Sequence, residues 1–197
     1  MSVYITNEMI KGAEDSQEKY GVPASITLAQ IMLESSGDYA GGLSLLAKKY
    51  NNLFGITAGS SWKGETVVMS NSQGKDTQRY RVYESVMESI EDHGKLLATS
   101  HYTQYTKNAK DYEEYAKAIH KAGYATDPDY SSKLITIIKE NKFNQYDSGE
   151  YSVSVEDSKD DGFVKNLAKN ITKGLFMILF AVLGLLFLMG SFGGVRK

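Results

Sequence analysis

Between Lys173 and Arg196 the chain carries no charged side chain, and Leu175 to Met189 is almost wholly Leu, Phe, Ile, Val and Met. A stretch this apolar constrains the chain more than any other feature, because a fold in water has little room to bury it. Roughly 20 such residues cross a bilayer as one helix, with every backbone polar group satisfied internally. Gly184, Gly190, Gly193 and Gly194 are tolerated in such helices. The competing reading is a buried core helix, but no polar stripe marks a water-facing side. One C-terminal transmembrane helix is therefore expected, with a lipid bilayer as partner. Lys165, Lys169 and Lys173 on its near side outweigh Arg196 and Lys197 beyond it, a bias that places the remaining chain on the cytoplasmic face.

Upstream the composition changes twice. Residues 163–171 alternate apolar side chains at helical spacing with Lys165 and Lys169, an interfacial lead-in. Residues 147–162 hold Asp147, Glu150, Glu156, Asp157, Asp160 and Asp161 against Lys159 alone, which reads as a solvated flexible linker. Residues 1–146 have an ordinary globular composition and form the one expected folded domain. The formal charge of the 197 residues is −2, giving no reason to expect a nucleic-acid partner. There is no cysteine, which excludes disulfides and thiolate metal sites. His93, His101 and His120 lack metal-ligand spacing, so neither a metal nor another cofactor is expected.

The folded part reads as α+β and mostly helical. Pro23 marks a helix start, and Ile26 to Glu34 follows as a run apolar nearly all round, the signature of a central buried helix. Ser85 with Glu88, and Asp111 with Glu114, are capping-box patterns ahead of apolar helical faces. Asp127-Pro128 reads as an N-cap followed by proline at the first helical position. Residues 66–69 and 78–83 flank the turn-like Asn71-Ser72-Gln73-Gly74, a small β-hairpin. His93 falls on the apolar face of its helix and reads as a satisfied core histidine.

Glu34 is the residue with chemical promise. It ends the buried helix, where desolvation and the negative end of the helix dipole both disfavour the charged carboxylate. A carboxylic acid kept protonated near neutral pH is what general-acid cleavage of a glycosidic bond requires. The plainer alternative is that Glu34 reaches solvent past the helix end.

Four segments carry a resemblance: Leu28-Ala29-Gln30-Ile31-Met32-Leu33-Glu34-Ser35, Asn51-Asn52-Leu53-Phe54-Gly55-Ile56, Ser61-Trp62-Lys63-Gly64 and Ala122-Gly123-Tyr124-Ala125-Thr126-Asp127-Pro128. In this order they resemble the glucosaminidase domain of glycoside hydrolase family 73, which includes bacterial autolysins and flagellar peptidoglycan hydrolases. The resemblance spans residues 5–145. It implies a lysozyme-like fold and cleavage of the β-1,4 bond between N-acetylglucosamine and N-acetylmuramic acid in peptidoglycan glycan strands. It further implies Glu34 as general acid, Tyr124 beside the cleaved sugar, and Asn52 and Phe54 along the groove. Trp62 and Tyr39 join them as aromatic candidates for stacking on sugar rings, or as core.

The chain also departs from the family. The family commonly has Glu-Ser-Gly-Trp-Gly after the acid, whereas this chain has Glu34-Ser35-Ser36-Gly37-Asp38-Tyr39. Its hairpin is short, and the acids near it are Glu65 and Asp76; Glu65 is favoured as helper. The alternative is the substrate's own acetamido group as nucleophile, assisted by Tyr124. Two other classes of function stay open: a non-catalytic glycan-binding or assembly module, and a membrane-active lysis or penetration protein. The N-terminus has no basic region followed by an apolar stretch, so no cleavable secretory signal is expected. Display on a membrane-containing phage particle reconciles a wall-degrading domain with that reading; a tail-anchored lysis enzyme or a conjugation-system hydrolase fits as well.

Overall fold

Residues 3–70 and 77–147 are described by the computed structural model. The expected membrane helix, its lead-in, the linker beyond Asp147, and Asp76 lie outside the described residues. Among the described residues no helix is long and apolar enough to cross a membrane.

Helix α1 (Asn7–Tyr20) begins where the Thr6 side chain accepts from the Met9 amide at 3.2 Å. It ends at Gly21, whose φ of 70° is a left-handed conformation that glycine adopts without strain. Helix α2 (Ala24–Glu34) follows, and all its residues from Ala24 to Met32 are buried. It packs against α1, the later helices at Tyr112–Lys121 and Tyr130–Asn141, and a closing 3₁₀ turn, so it is the axis of the core. Truncating Leu28 or Ile31, both fully buried, to Ala costs roughly 2–5 kcal/mol.

The proline start of α2 is as expected, but its caps come from elsewhere. Pro23 occupies the cap position with no side-chain bond. Instead the Ala24 amide donates to Gln17 Oε1 at 2.8 Å, and the Ser25 amide and hydroxyl donate to the Asp147 carboxylate at 2.8 and 2.7 Å. Gln17 Nε2 also donates to the Asp147 carbonyl. Asp147, placed in the linker by composition, is thus fastened to the first turn of α2.

After α2 comes strand β1 (Ser36–Tyr39), folded back through Gly41 and Gly42, both at positive φ, to bridge Leu43. Helix α3 (Leu45–Tyr50) is capped by Ser44. The expected hairpin is present as β2 (Thr66–Ser70) antiparallel to β3 (Thr77–Arg81), with Thr66 opposite Arg81 and Ser70 opposite Thr77. Residues 82 and 83 have left the strand, the Tyr83 amide donating to the Tyr50 carbonyl. Thr57 bridges Tyr80 on the other edge of β3, tying the hairpin to the segment after α3.

Helix α4 (Val86–Leu97) is capped by Ser85, and α6 (Tyr112–Lys121) by Asp111, as expected. Their glutamates reach one residue further out than a capping box: Glu88 accepts from the Glu84 amide and Glu114 from the Lys110 amide. Between them lies α5 (Ser100–Thr106). Helix α7 (Tyr130–Asn141) starts later than Asp127-Pro128 implied, with Asp129 at its cap. Asp127 instead accepts from the Asp129 amide and pairs with Lys133, making a turn ahead of the helix. The 3₁₀ turn Phe143–Tyr146 returns the chain to α2.

Candidate active site

Glu34 is the last residue of α2, and the chain folds back over it through β1 and its glycine turn. The residue keeps partial solvent contact, yet its carboxyl stands in dense protein. Burial pushes that carboxyl up to about 8, against an opposing hydrogen bond from Tyr130. Near neutral pH Glu34 therefore holds its proton.

The hydroxyl of Tyr130 donates to Glu34 Oε1 at 3.0 Å, and Gln30 Nε2 donates to the Tyr130 oxygen at 2.9 Å. Gln30 and Tyr130 are both fully buried. Neither was singled out from sequence. The signal was there in Gln30, a lone amide in an apolar run and one helical turn before Glu34, hence on the same face.

Tyr124 lies on Tyr130, the rings nearly parallel with centroids 5.6 Å apart. Gly123, at φ 86°, permits the reversal that ends α6 and turns Tyr124 inward. Its hydroxyl is held far from ionisation, first by burial and then by the negative ends of Glu34, Tyr102 and Tyr83. Tyr124 is 4% exposed, and its hydroxyl has no hydrogen-bond partner among the described residues. The structure thus brings Tyr124 to Glu34 but gives the direct bond to Tyr130.

Asn52 and Phe54 do not line an open groove. Both are about 1% exposed. Asn52 donates to the Ile56 and Arg81 carbonyls and accepts from the Ile56 amide, fixing the loop against β3. Phe54 stacks on His93 at 3.9 Å, and His93 meets the Tyr124 ring edge-on. Both are core residues, and Phe54 reaches Tyr124 only through His93. His93 is core, as expected, but not satisfied: neither ring nitrogen has a partner among the described residues. Burial lowers it to about 3, so it is neutral.

Trp62 and Tyr39 are placed differently. Trp62 is partly buried at the hairpin base, its indole N–H donating to the Glu65 carbonyl, with the Arg81 guanidinium 4.7 Å above the ring and Tyr83 at its edge. Arg81 and the Tyr83 hydroxyl in turn both donate to Asp92, at 2.6 and 2.5 Å. Asp92 is therefore committed to that cluster. Tyr39 is 48% exposed at the end of β1, five residues past the acid. Glu65 is exposed before β2, and its carboxylate has no hydrogen bond or ion pair among the described residues. No described bond joins a second carboxylate to Glu34.

A raised, partly accessible carboxylic acid fixed from behind and flanked by a tyrosine hydroxyl is equipped for proton donation. Comparison with known proteins points the same way. The profile of the glucosaminidase family, described as mannosyl-glycoprotein endo-beta-N-acetylglucosaminidase, matches residues 10–155. The exo-glucosaminidase LytG of Bacillus subtilis is 35% identical over 161 residues, covering 72% of this chain and 54% of LytG. The peptidoglycan hydrolase FlgJ of Salmonella typhimurium is 35% identical over 133 residues, covering 64% of this chain and 42% of FlgJ. The chain thus spans about half the length of these curated relatives. Among solved structures, the glycoside hydrolase domain of that FlgJ superposes with a TM-score of 0.54 at 33% identity, covering 68% of this chain and 84% of the domain. The catalytic domain of the autolysin Auto from Listeria monocytogenes gives 0.60 at 33% identity, covering 72% and 84%.

Proposed function

Because this chain belongs to the glucosaminidase family, we propose that it hydrolyses peptidoglycan, cutting the β-1,4 bond between N-acetylglucosamine and N-acetylmuramic acid. The observation that carries the reading is Glu34, a carboxyl raised to about 8 by burial and held by Tyr130 while still partly open to solvent. Glu34 protonates the glycosidic oxygen as the bond to the anomeric carbon breaks. That step leaves a carboxylate, which the Tyr130 hydroxyl stabilises. Tyr124 faces the cleaved sugar, and Trp62 and Tyr39 offer rings for flanking sugars.

For the second half of the reaction, Glu65 activates water only if substrate draws the hairpin base toward Glu34. Its exposure, and the engagement of Asp92 elsewhere, favour instead the substrate's acetamido oxygen, which bonds the anomeric carbon as the glycosidic bond breaks. Water then opens the ring so formed, and its proton returns to the Glu34 carboxylate. Mass spectrometry of digested peptidoglycan tests the reading. Fragments with N-acetylglucosamine at the new reducing end are expected, and N-acetylmuramic acid there would refute the bond assignment.

The setting belongs to the same proposal. Residues 163–197 anchor the domain by a single C-terminal span, and residues 148–162 act as the tether. This placement suits a particle-borne or host-lysis enzyme. Full-length protein should resist carbonate extraction from membranes; release into the wash would overturn the anchor.

A further inference from the structure

Resting on the hydrolase reading above, we infer that Gln30 and Tyr130 are positioning residues that assign the catalytic proton to Oε2 of Glu34. A tyrosine hydroxyl has one proton to give. Gln30 Nε2 donates to the Tyr130 oxygen from behind at 2.9 Å, so the hydroxyl proton is directed forward to Glu34 Oε1 at 3.0 Å. Oε1 is then an acceptor both before and after the reaction, as the carbonyl oxygen of the acid and as an oxygen of the carboxylate. The acid proton is left to Oε2. That oxygen makes no hydrogen bond among the described residues, and Glu34 keeps partial solvent contact, which leaves Oε2 free to meet a glycosidic oxygen.

Two further observations favour a positioning role over simple core stability. Gln30 is fully buried, and its Oε1 has no partner among the described residues. A buried unpaired acceptor costs free energy that a leucine at this position would not. The opposite amide orientation would take the Tyr130 proton toward Gln30, leave both amide N–H groups unpaired, and leave the carboxylate formed in the reaction without a donor. Tyr130 itself is clamped by the ring of Tyr124 on one side and meets His120 at 6.0 Å. These contacts hold the phenol ring, and the Gln30 bond directs its hydroxyl proton.

The test uses full-length protein with ¹³C-labelled Glu carboxyls and three variants: Tyr130→Phe, Gln30→Met and the double substitution. In Tyr130→Phe, kcat should fall roughly 10- to 100-fold, the range for one hydrogen bond to a charged group, with KM within about twofold of wild type. The Glu34 carboxyl should titrate at higher pH, because the lost bond favoured the ionised form, and the alkaline limb of the rate profile should follow. Gln30→Met should move both readouts in the same direction by less. Since Gln30 acts through Tyr130, the double variant should match Tyr130→Phe alone. Additive effects, or an unchanged Glu34 titration in Tyr130→Phe, would overturn the inference. If Tyr130→Phe does not fold, the Gln30→Met titration decides alone. The titration needs no turnover, so it judges the relay separately from the hydrolase reading, which an active Glu34→Gln enzyme would overturn.

Discussion

Replacing Glu34 by Gln should destroy activity and at the same time make the protein more stable, by an amount that depends on pH. The substitution is nearly isosteric, and the amide oxygen still accepts from Tyr130, so the local geometry persists. What disappears is a buried ionisable group. In the unfolded chain Glu34 titrates near 4.5, whereas in the fold burial raises it to about 8. Below 4.5 both states hold the proton and Glu34 costs nothing. Between 4.5 and about 8 the unfolded chain gives up its proton while the fold retains it, so wild-type stability falls as pH rises. Above about 8 the folded carboxyl ionises too and the loss levels off. At about 1.4 kcal/mol per pH unit, the full window is worth at most ~5 kcal/mol. Partial solvent contact screens some of it, leaving an expectation of about 2–4 kcal/mol. Urea unfolding of both proteins at pH 4, 6 and 8.5, followed by circular dichroism in mild detergent, measures the gap directly. The two curves should coincide at pH 4 and separate progressively above it. In parallel, turbidity assays on purified peptidoglycan should show at least a 100-fold loss. If the urea midpoints coincide at pH 8.5, the carboxyl is not desolvated and the basis for its acid role is gone.

Asp147→Ala removes both bonds to the first turn of α2 and should cost about 1–2 kcal/mol in urea; no loss would mean water replaces the cap. His93→Phe keeps the stack on Phe54 while deleting two unpartnered nitrogens. It should raise stability by about 1 kcal/mol, and a drop of that size would show that the nitrogens are hydrogen-bonded in solution. Glu65→Gln should lower the lytic rate less than Tyr124→Phe, judged by initial rates on the same substrate; the reverse order would make Glu65 the helper carboxylate.

Much of this fold is legible in sequence because its signals are local. Ser85 and Asp111 cap the helices they precede, and the hairpin sits where alternating residues flank a turn. The all-apolar run before Glu34 announces the buried axis. What was not legible depends on distant partners. The start of α2 is capped by Gln17 and Asp147, the latter 122 positions away, and no local pattern encodes that. Asp127 looked like a helix cap because Asp-Pro so often is one, yet its pairing with Lys133 draws it into a turn. In the site, Glu34 could be found from position, but the tyrosine that bonds it could not. Tyr124 and Tyr130 lie six residues apart and stack, and only the fold decides which hydroxyl faces the acid. Asn52 and Phe54 show the converse. A motif marks residues that matter without saying whether they touch substrate or support what does.

The fastening of Asp147 to α2 has a mechanical consequence. Helix α2 is about 16 Å long, with Glu34 at one end and the Ser25–Asp147 contact at the other. A pull on the chain at Asp147, with substrate holding the Glu34 end, loads this one helix at both ends. Tension arriving through residue 148 meets the Ser25 and Gln17 bonds before it reaches α7. The first event under such a load is then the uncapping of the helix that carries Glu34, so a pull on Asp147 acts on the same helix as that carboxyl.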